Sequence, residues 1–217
     1  MNFRNQLPDI LPIFPLSNFI FFPKTSVPLN IFEPRYIEMI NDSLNKDRVI
    51  GMIQPKIINK RLFKDNPALY SVGCAGKITS FNETEDNRIL LILNGISRFK
   101  ILEEVPSNKL YRQCKVGFEH FKEDLYPKKN NIAISDLNLI IKDFKIFFQK
   151  KGYELDWQEL EKQKLDQVLN SLCMVAPFSL EEKQILLETK NIKERKIKLK
   201  EILNTYLLSD IDLKTIQ

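Results

Sequence analysis

Histidine occurs once, at His120, and cysteine three times, at Cys74, Cys114 and Cys173, far apart and without a Cys-x-x-Cys pair. A zinc site needs clustered thiolate and imidazole ligands, and a disulfide framework needs an even set of half-cystines. Neither is present, so no metal or other cofactor is expected, and reduced thiols fit a cytoplasmic protein. Glycine is scarce, with 6 in 217 residues. A phosphate-binding loop needs Gly-x-x-x-x-Gly-Lys-Ser/Thr, so that backbone amides wrap the phosphates. The nearest approach, Gly76-Lys77, has Ser71 in place of the first glycine, is followed by Ile78, and falls within a predicted strand. No apolar run reaches the roughly 18 residues that span a bilayer. The richest stretch, Ile10 to Phe22, is interrupted by Pro12 and Pro15 and lacks a small-residue cleavage site, so neither a membrane segment nor a secretory leader is expected. No long internal repeat is visible.

What is present is a core. Hydrophobic residues make up 43% of the chain, and fifteen phenylalanines against one tryptophan point to aromatic packing. The net charge of +5 raises the question of nucleic acid, but the basic residues are interspersed with acids. Even the densest cluster, Lys190 to Lys200, carries Glu194 and lies beside Glu188 and Glu201, the pattern of a solvated helix face.

The hydrophobic period changes along the chain. From Leu11 to about Phe121 short strands are predicted at Arg48–Gln54, Val72–Phe81, Arg88–Leu93, Ser97–Val105 and Tyr111–Phe118. Glu85-Asp86-Asn87 reads as a turn, and Asn94-Gly95 as a hairpin turn, since that dipeptide favours positive φ. This spacing implies an antiparallel sheet or small barrel. One helix interrupts it, opening at Pro34 with Tyr36, Ile37, Ile40 and Leu44 on one face. From Ser135 the spacing becomes three and four. Leu137, Ile140, Ile141, Phe144, Phe147 and Phe148 form one stripe closed by Gly152; for the adjacent Phe147 and Phe148 core packing is expected, with one ring exposed or set between the two halves as the alternative. Leu165, Val168, Leu169, Leu172 and Val175 form a second stripe, ended by Pro177. Ser179-Leu-Glu-Glu182 and Asn191-Ile-Lys-Glu194 have capping-box spacing, the latter opening a helix with Leu199, Ile202, Leu203, Tyr206 and Leu207 on its face. The predicted organisation is a β-rich part at 1–121, a polar junction at 122–134 and a helical bundle at 135–217.

Several motifs occur in a fixed order. Phe22-Pro23-Lys24-Thr25-Ser26-Val27-Pro28-Leu29-Asn30-Ile31-Phe32-Glu33-Pro34-Arg35-Tyr36 comes first, then Ile50 to Pro55, Val72 to Ile78, Asn94 to Lys100, and Ala176 to Glu188 followed by Arg195. Together, over about residues 10 to 205, they resemble the N-terminal substrate-binding domain of the ATP-dependent protease Lon. The wording of Gly51 to Pro55 and Gly73 to Thr79 is closest to small bacterial proteins made of this domain alone, and nothing here resembles Lon's ATPase or peptidase modules. The resemblance implies an α+β fold, a PUA-like antiparallel β pseudobarrel followed by a helical bundle. It also implies recognition of unfolded or tagged protein segments, in partnership with an ATP-dependent protease.

Candidate residues for such recognition are Phe22, Pro23, Arg35, Tyr36 and Arg98, whose rings and planar cations suit peptide anchoring. RNA binding is the alternative, because PUA-like barrels also serve that purpose. Catalysis is not expected. Glu103-Glu104, Glu181-Glu182 and the Glu83/Asp86 pair read as surface or capping carboxylates, and a Cys74 or Cys114 nucleophile with His120 rests on a single imidazole.

Overall fold

Proline sets the opening of the first unit. In the computed structural model, which describes residues 7–56, 67–126 and 134–212, the chain divides into two compact units, Met1–Pro127 and Lys128–Gln217. After β1 (Ile10–Pro15) the chain makes a turn at Phe22–Thr25, with Pro23 followed by Lys24 at φ 62°, the pattern of a type II turn. β2 (Ser26–Ile31) then runs to Glu33, whose extended backbone caps α1 (Pro34–Leu44) with Pro34 in the first turn, where its missing N–H costs nothing. Tyr36, Met39, Ile40 and Ser43 are the buried positions of α1. Ile37 and Leu44, expected on that face, are only half-buried, because the buried stripe follows i, i+3, i+4, i+7 from Tyr36 through Met39.

The remaining strands are β3 (Val49–Ile53), β4 (Val72–Glu83), β5 (Ile89–Val105) and β6 (Arg112–Gly117). Their order is β2-β5-β4-β3-β1-β6, and β6 pairs again with β5. Five strands therefore close into a ring, and β2 is added outside it against the first half of β5. The sheet is mixed, not purely antiparallel: β1 and β3 run parallel, made possible by the crossover through β2 and α1. Leu11, Ile13, Val49, Ile53, Ala75, Phe99, Cys114 and Val116 fill the interior.

The two strands expected at Arg88–Leu93 and Ser97–Val105 are one continuous strand, and Asn94-Gly95 is not a turn. Gly95 pairs with Gly76 and does not adopt positive φ. It is required for close approach: Lys24 N–H donates to Gly95 O at 2.9 Å, Gly95 N–H to Thr25 O at 2.8 Å, and a Cβ there would lie 2.2 Å from Phe22 O. The hairpin turn is instead at Glu85-Asp86-Asn87, where Asn87 takes φ 58°.

After β6 a short 3-10 turn (Glu119–Phe121) leads into α2 (Lys122–Leu125), so part of the segment expected as a junction is helical; residues 127–133 of it lie outside the described residues. The second unit contains α3 (Ile134–Lys151), α4 (Trp157–Glu161), α5 (Leu165–Val175), α6 (Leu180–Glu188) and α7 (Ile192–Asp212). All six residues of the α3 stripe are buried, Phe147 and Phe148 included, as expected of core packing. Phe147 stacks on Phe178 and contacts Tyr206, while Phe148 meets Trp157 and Tyr153 edge-on: partners on two sides accommodate two adjacent rings. Gly152 at φ 71° ends α3, with Tyr153 N–H closing on Phe148 O. On α5, Val168, Leu169 and Leu172 are buried, but Val175 is exposed and Cys173 is buried in the last turn in its stead.

α6 begins with the expected capping box, Ser179 Oγ accepting from Glu182 N–H and Glu182 from Ser179 N–H. Ser179→Ala should lower stability by about 1 kcal/mol, read as a shift in the urea midpoint at unchanged m-value. At α7 the cap is a variant, in which Glu194 accepts from Lys190 N–H while Asn191 Oδ1 takes Glu194 N–H. Arg195 is buried and ties the bundle together, donating to Leu186 O at 3.0 Å and Asn170 Oδ1 at 2.5 Å.

Candidate functional site

The start of α1 is held beside the β5–β6 connection, and a groove of about 500 Å³ lies there. Its lining includes Ile13 and Pro15 of β1, Arg35 and Tyr36 of α1, Val105, Pro106 and Leu110 of the connection, and Tyr111 and Arg112 at the start of β6. Tyr36 sits edge-on to Phe14 at 4.4 Å, its hydroxyl directed at Pro15 O at 3.5 Å, and burial raises its pKa. The Arg35 guanidinium lies over the Tyr36 ring at 4.5 Å and pairs with Glu33 at 2.8 Å. Leu110 projects from the rim, 65% exposed.

Carboxylates one turn apart on α1 latch the connection in place. Glu38 accepts Leu110 N–H, and Asp42 accepts both Tyr111 OH at 2.7 Å and Lys109 Nζ at 2.9 Å. The bond from Lys109 is the largest influence lowering the Asp42 pKa, followed by that from Tyr111. Burial, then the same bond to Asp42, pushes the Tyr111 phenol well above its ordinary range. Across the groove Arg112 forms a bidentate pair with Glu104 and donates to Pro67 O. The result is an apolar floor with a rim of both charge signs, an arrangement suited to holding a peptide segment.

The five residues expected at a binding surface are not brought together. Phe22 and Pro23 are buried, because the turn they form lies against Gly95. Arg98 is 1% exposed: its Nε and one terminal nitrogen donate to Asp124 at 2.8 and 2.9 Å, and its guanidinium lies 4.2 Å from the Phe121 ring centre. Its backbone N–H also donates to Asp124. These three residues build the scaffold, which corrects their expected placement on the surface. Arg35 and Tyr36 alone reach the groove. Sequence reading missed Leu110, Val105 and the α1 carboxylates. The Pro106-Ser107-Asn108 turn between two strands was the available signal.

Cys114 and Cys173 are buried, and desolvation raises their thiol pKa values to about 11 and about 12, so both stay protonated at neutral pH. His120 is exposed on the 3-10 turn, while Cys114 lies in the barrel core. Gly76-Lys77 lies within β4 and forms no loop. Among the described residues no group of three or more His, Cys, Asp or Glu is placed to hold a metal, and no helix is long and apolar enough to cross a membrane.

A small, closed mixed sheet with an appended strand and helix, together with a helical bundle, defines an α+β fold. Residues 10–205 match the family model of the ATP-dependent protease La (LON) substrate-binding domain, and the chain belongs to that family. It is 28% identical over 219 residues to the Lon protease of Parabacteroides distasonis, covering 95% of this chain and 26% of the relative. Identity to the Lon protease of Syntrophus aciditrophicus is 25% over 197 residues, covering 88% and 24%. The chain thus spans about a quarter of the length of these relatives. Among solved structures, the Lon N-terminal domain protein from Xanthomonas campestris superposes with a TM-score of 0.62 at 20% identity, covering 88% of this chain and 96% of that one. The N-terminal domain of the Mycobacterium avium complex Lon protease gives 0.59 at 13% identity, covering 90% and 98%. These likenesses support the fold.

Proposed function

We propose that this protein is a non-enzymatic, cytoplasmic recognition module that binds unfolded or tagged protein segments through the Tyr36–Leu110 groove and presents them to an ATP-dependent protease. The observation that carries this reading is the family match over residues 10–205 to a substrate-binding domain. The groove supports it independently, since an apolar floor with a charged rim suits side chains that a folded client would bury. Selection of this kind requires only differential affinity, so no catalytic group is needed.

The test is fluorescence anisotropy with labelled, reduced and carboxymethylated lactalbumin, a permanently unfolded chain. Affinity on the order of 10 μM is expected for a small open groove. Leu110→Asp, at an exposed position that contributes little to the core, should weaken binding about tenfold, equivalent to about 1.4 kcal/mol. Unchanged affinity in that variant would remove the groove from the proposal. Affinity for single-stranded RNA that falls steeply with salt, without affinity for the unfolded chain, would replace protein recognition by RNA binding.

A further inference from the structure

The first unit carries an arm in which β4 and β5 extend beyond the ring. β3 pairs with Cys74 to Lys77 of β4, and Ile78 N–H still reaches Arg48 O at 2.8 Å. From Ser80 to Glu83, β4 pairs only with β5 among the described residues, so its other side is an open edge. Thr84 N–H donates to Arg88 O, and alternation of bonded and non-bonded pairs then turns the N–H and C=O groups of Phe81 and Glu83 away from β5. β2 is the arm's other edge, but the same alternation turns the Pro28 nitrogen outward, where it offers no donor and its ring obstructs an incoming strand. One edge is thus blunted and the other is open.

The side chains around the open edge point to a ligand chemistry. Phe81 is 43% exposed, and Leu90 and Ile92 are exposed on the opposite face of the arm, across from Asn82 and Ser80. At the tip, Asp86 is engaged by Arg88 and Thr84, whereas Glu83 and Glu85 form no ion pair among the described residues. The open edge thus has exposed apolar side chains beside it, Phe81 on β4 and Leu90 and Ile92 on β5, and negative charge from Glu83 and Glu85 at one end.

We propose that the β4 edge from Thr79 to Glu83 accepts an extended apolar client segment bearing lysine or arginine at one end, as an added strand; this rests on the client-recognition reading above. Unfolded clients share no side-chain pattern, but every one has a backbone. Strand addition draws its affinity from main-chain hydrogen bonds and only its preference from side chains. The outward groups of Phe81 and Glu83 supply those bonds, the exposed Phe81, Leu90 and Ile92 favour apolar residues, and Glu83 and Glu85 favour a cation at the tip.

The test uses a fluorescein-labelled octapeptide alternating valine and threonine between terminal lysines, with forms N-methylated at every second residue in either register. Affinity in the range of tens of micromolar is expected, with at least about a tenfold loss for N-methylation in one register and little in the other. Exchanging the lysines for glutamates should weaken binding several-fold, as should Phe81→Lys at this exposed position. Amide exchange at Phe81 and Glu83 should slow on binding. Indifference to N-methylation in both registers would overturn the proposal. So would binding lost with Leu110→Asp while exchange at Phe81 and Glu83 is unchanged, a result that leaves client recognition standing at the groove. Dimerisation abolished by Phe81→Lys, without peptide binding, would assign the edge to a second copy of the chain. Failure of both the peptide and carboxymethylated lactalbumin to bind would overturn the client-recognition reading together with this one.

Discussion

Asp124→Ala is expected to cost about 3–5 kcal/mol of stability, because it removes the carboxylate that pairs with a buried guanidinium. Arg98 is 1% exposed, and the Asp124 carboxylate takes three of its N–H donors, two from the guanidinium and one from the backbone. Removing the carboxylate takes away this two-pronged ion pair and the bond to the backbone N–H at a site almost closed to water, and contact with the Phe121 ring does not replace them. Thermal denaturation should show a fall in Tm of roughly 10 °C. The double variant Arg98→Met/Asp124→Leu should recover most of the loss, since an apolar pair needs no compensation. A single variant that unfolds at the wild-type temperature would show that the buried guanidinium does not depend on this carboxylate. Arg98 was a candidate for contact with a partner; this experiment measures its role inside the fold.

Gly95→Ala should cost about 3 kcal/mol or more, for a steric reason. The new methyl would stand 2.2 Å from Phe22 O and 3.1 Å from Pro23 Cα, and these are backbone atoms with no rotamer to change. To make room, the Phe22–Thr25 turn would have to lift from β5 and lose the two hydrogen bonds that join it to Gly95. Gly95→Asn separates this account from the hairpin reading of Asn94-Gly95. A glycine needed for positive φ tolerates asparagine better than alanine, whereas a glycine needed for close approach tolerates asparagine no better. Urea denaturation of both variants decides between them, with equal or greater loss for asparagine expected.

Local signals were legible wherever one residue's own chemistry decides the backbone. Pro34 marked the start of α1, Gly152 the end of α3, and Ser179 with Glu182 the cap of α6. The α3 stripe was legible as well, because all six of its positions are buried. Asn94-Gly95 misled, since the same dipeptide serves a turn and a tight backbone crossing, and only the arrival of a segment seventy residues earlier distinguishes them. The shift of the α1 face had a related cause. Ser43 is buried because its hydroxyl finds Met39 O, a partner that composition does not disclose.

The candidate site divides in the same way. Arg35 and Tyr36 could be picked out as groups suited to a peptide, but their partners in the groove come from β1 and from the β5–β6 connection, some seventy residues further along. Arg98 could be picked out too, yet its burial depends on Asp124, which sits on a helical turn that the polar composition of its segment concealed.

The sequence by itself determined the change from a β-rich to a helical half, the helix caps and the family, since hydrophobic period, capping residues and motif order are all properties of neighbours along the chain. Closure of the ring, the parallel β1–β3 pair, the burial of Phe22 and Arg98, and the open edge of β4 were decided only by the tertiary structure. Each depends on which distant segment occupies the space beside a residue, and a one-dimensional pattern records which groups need a partner without recording where the partner comes from.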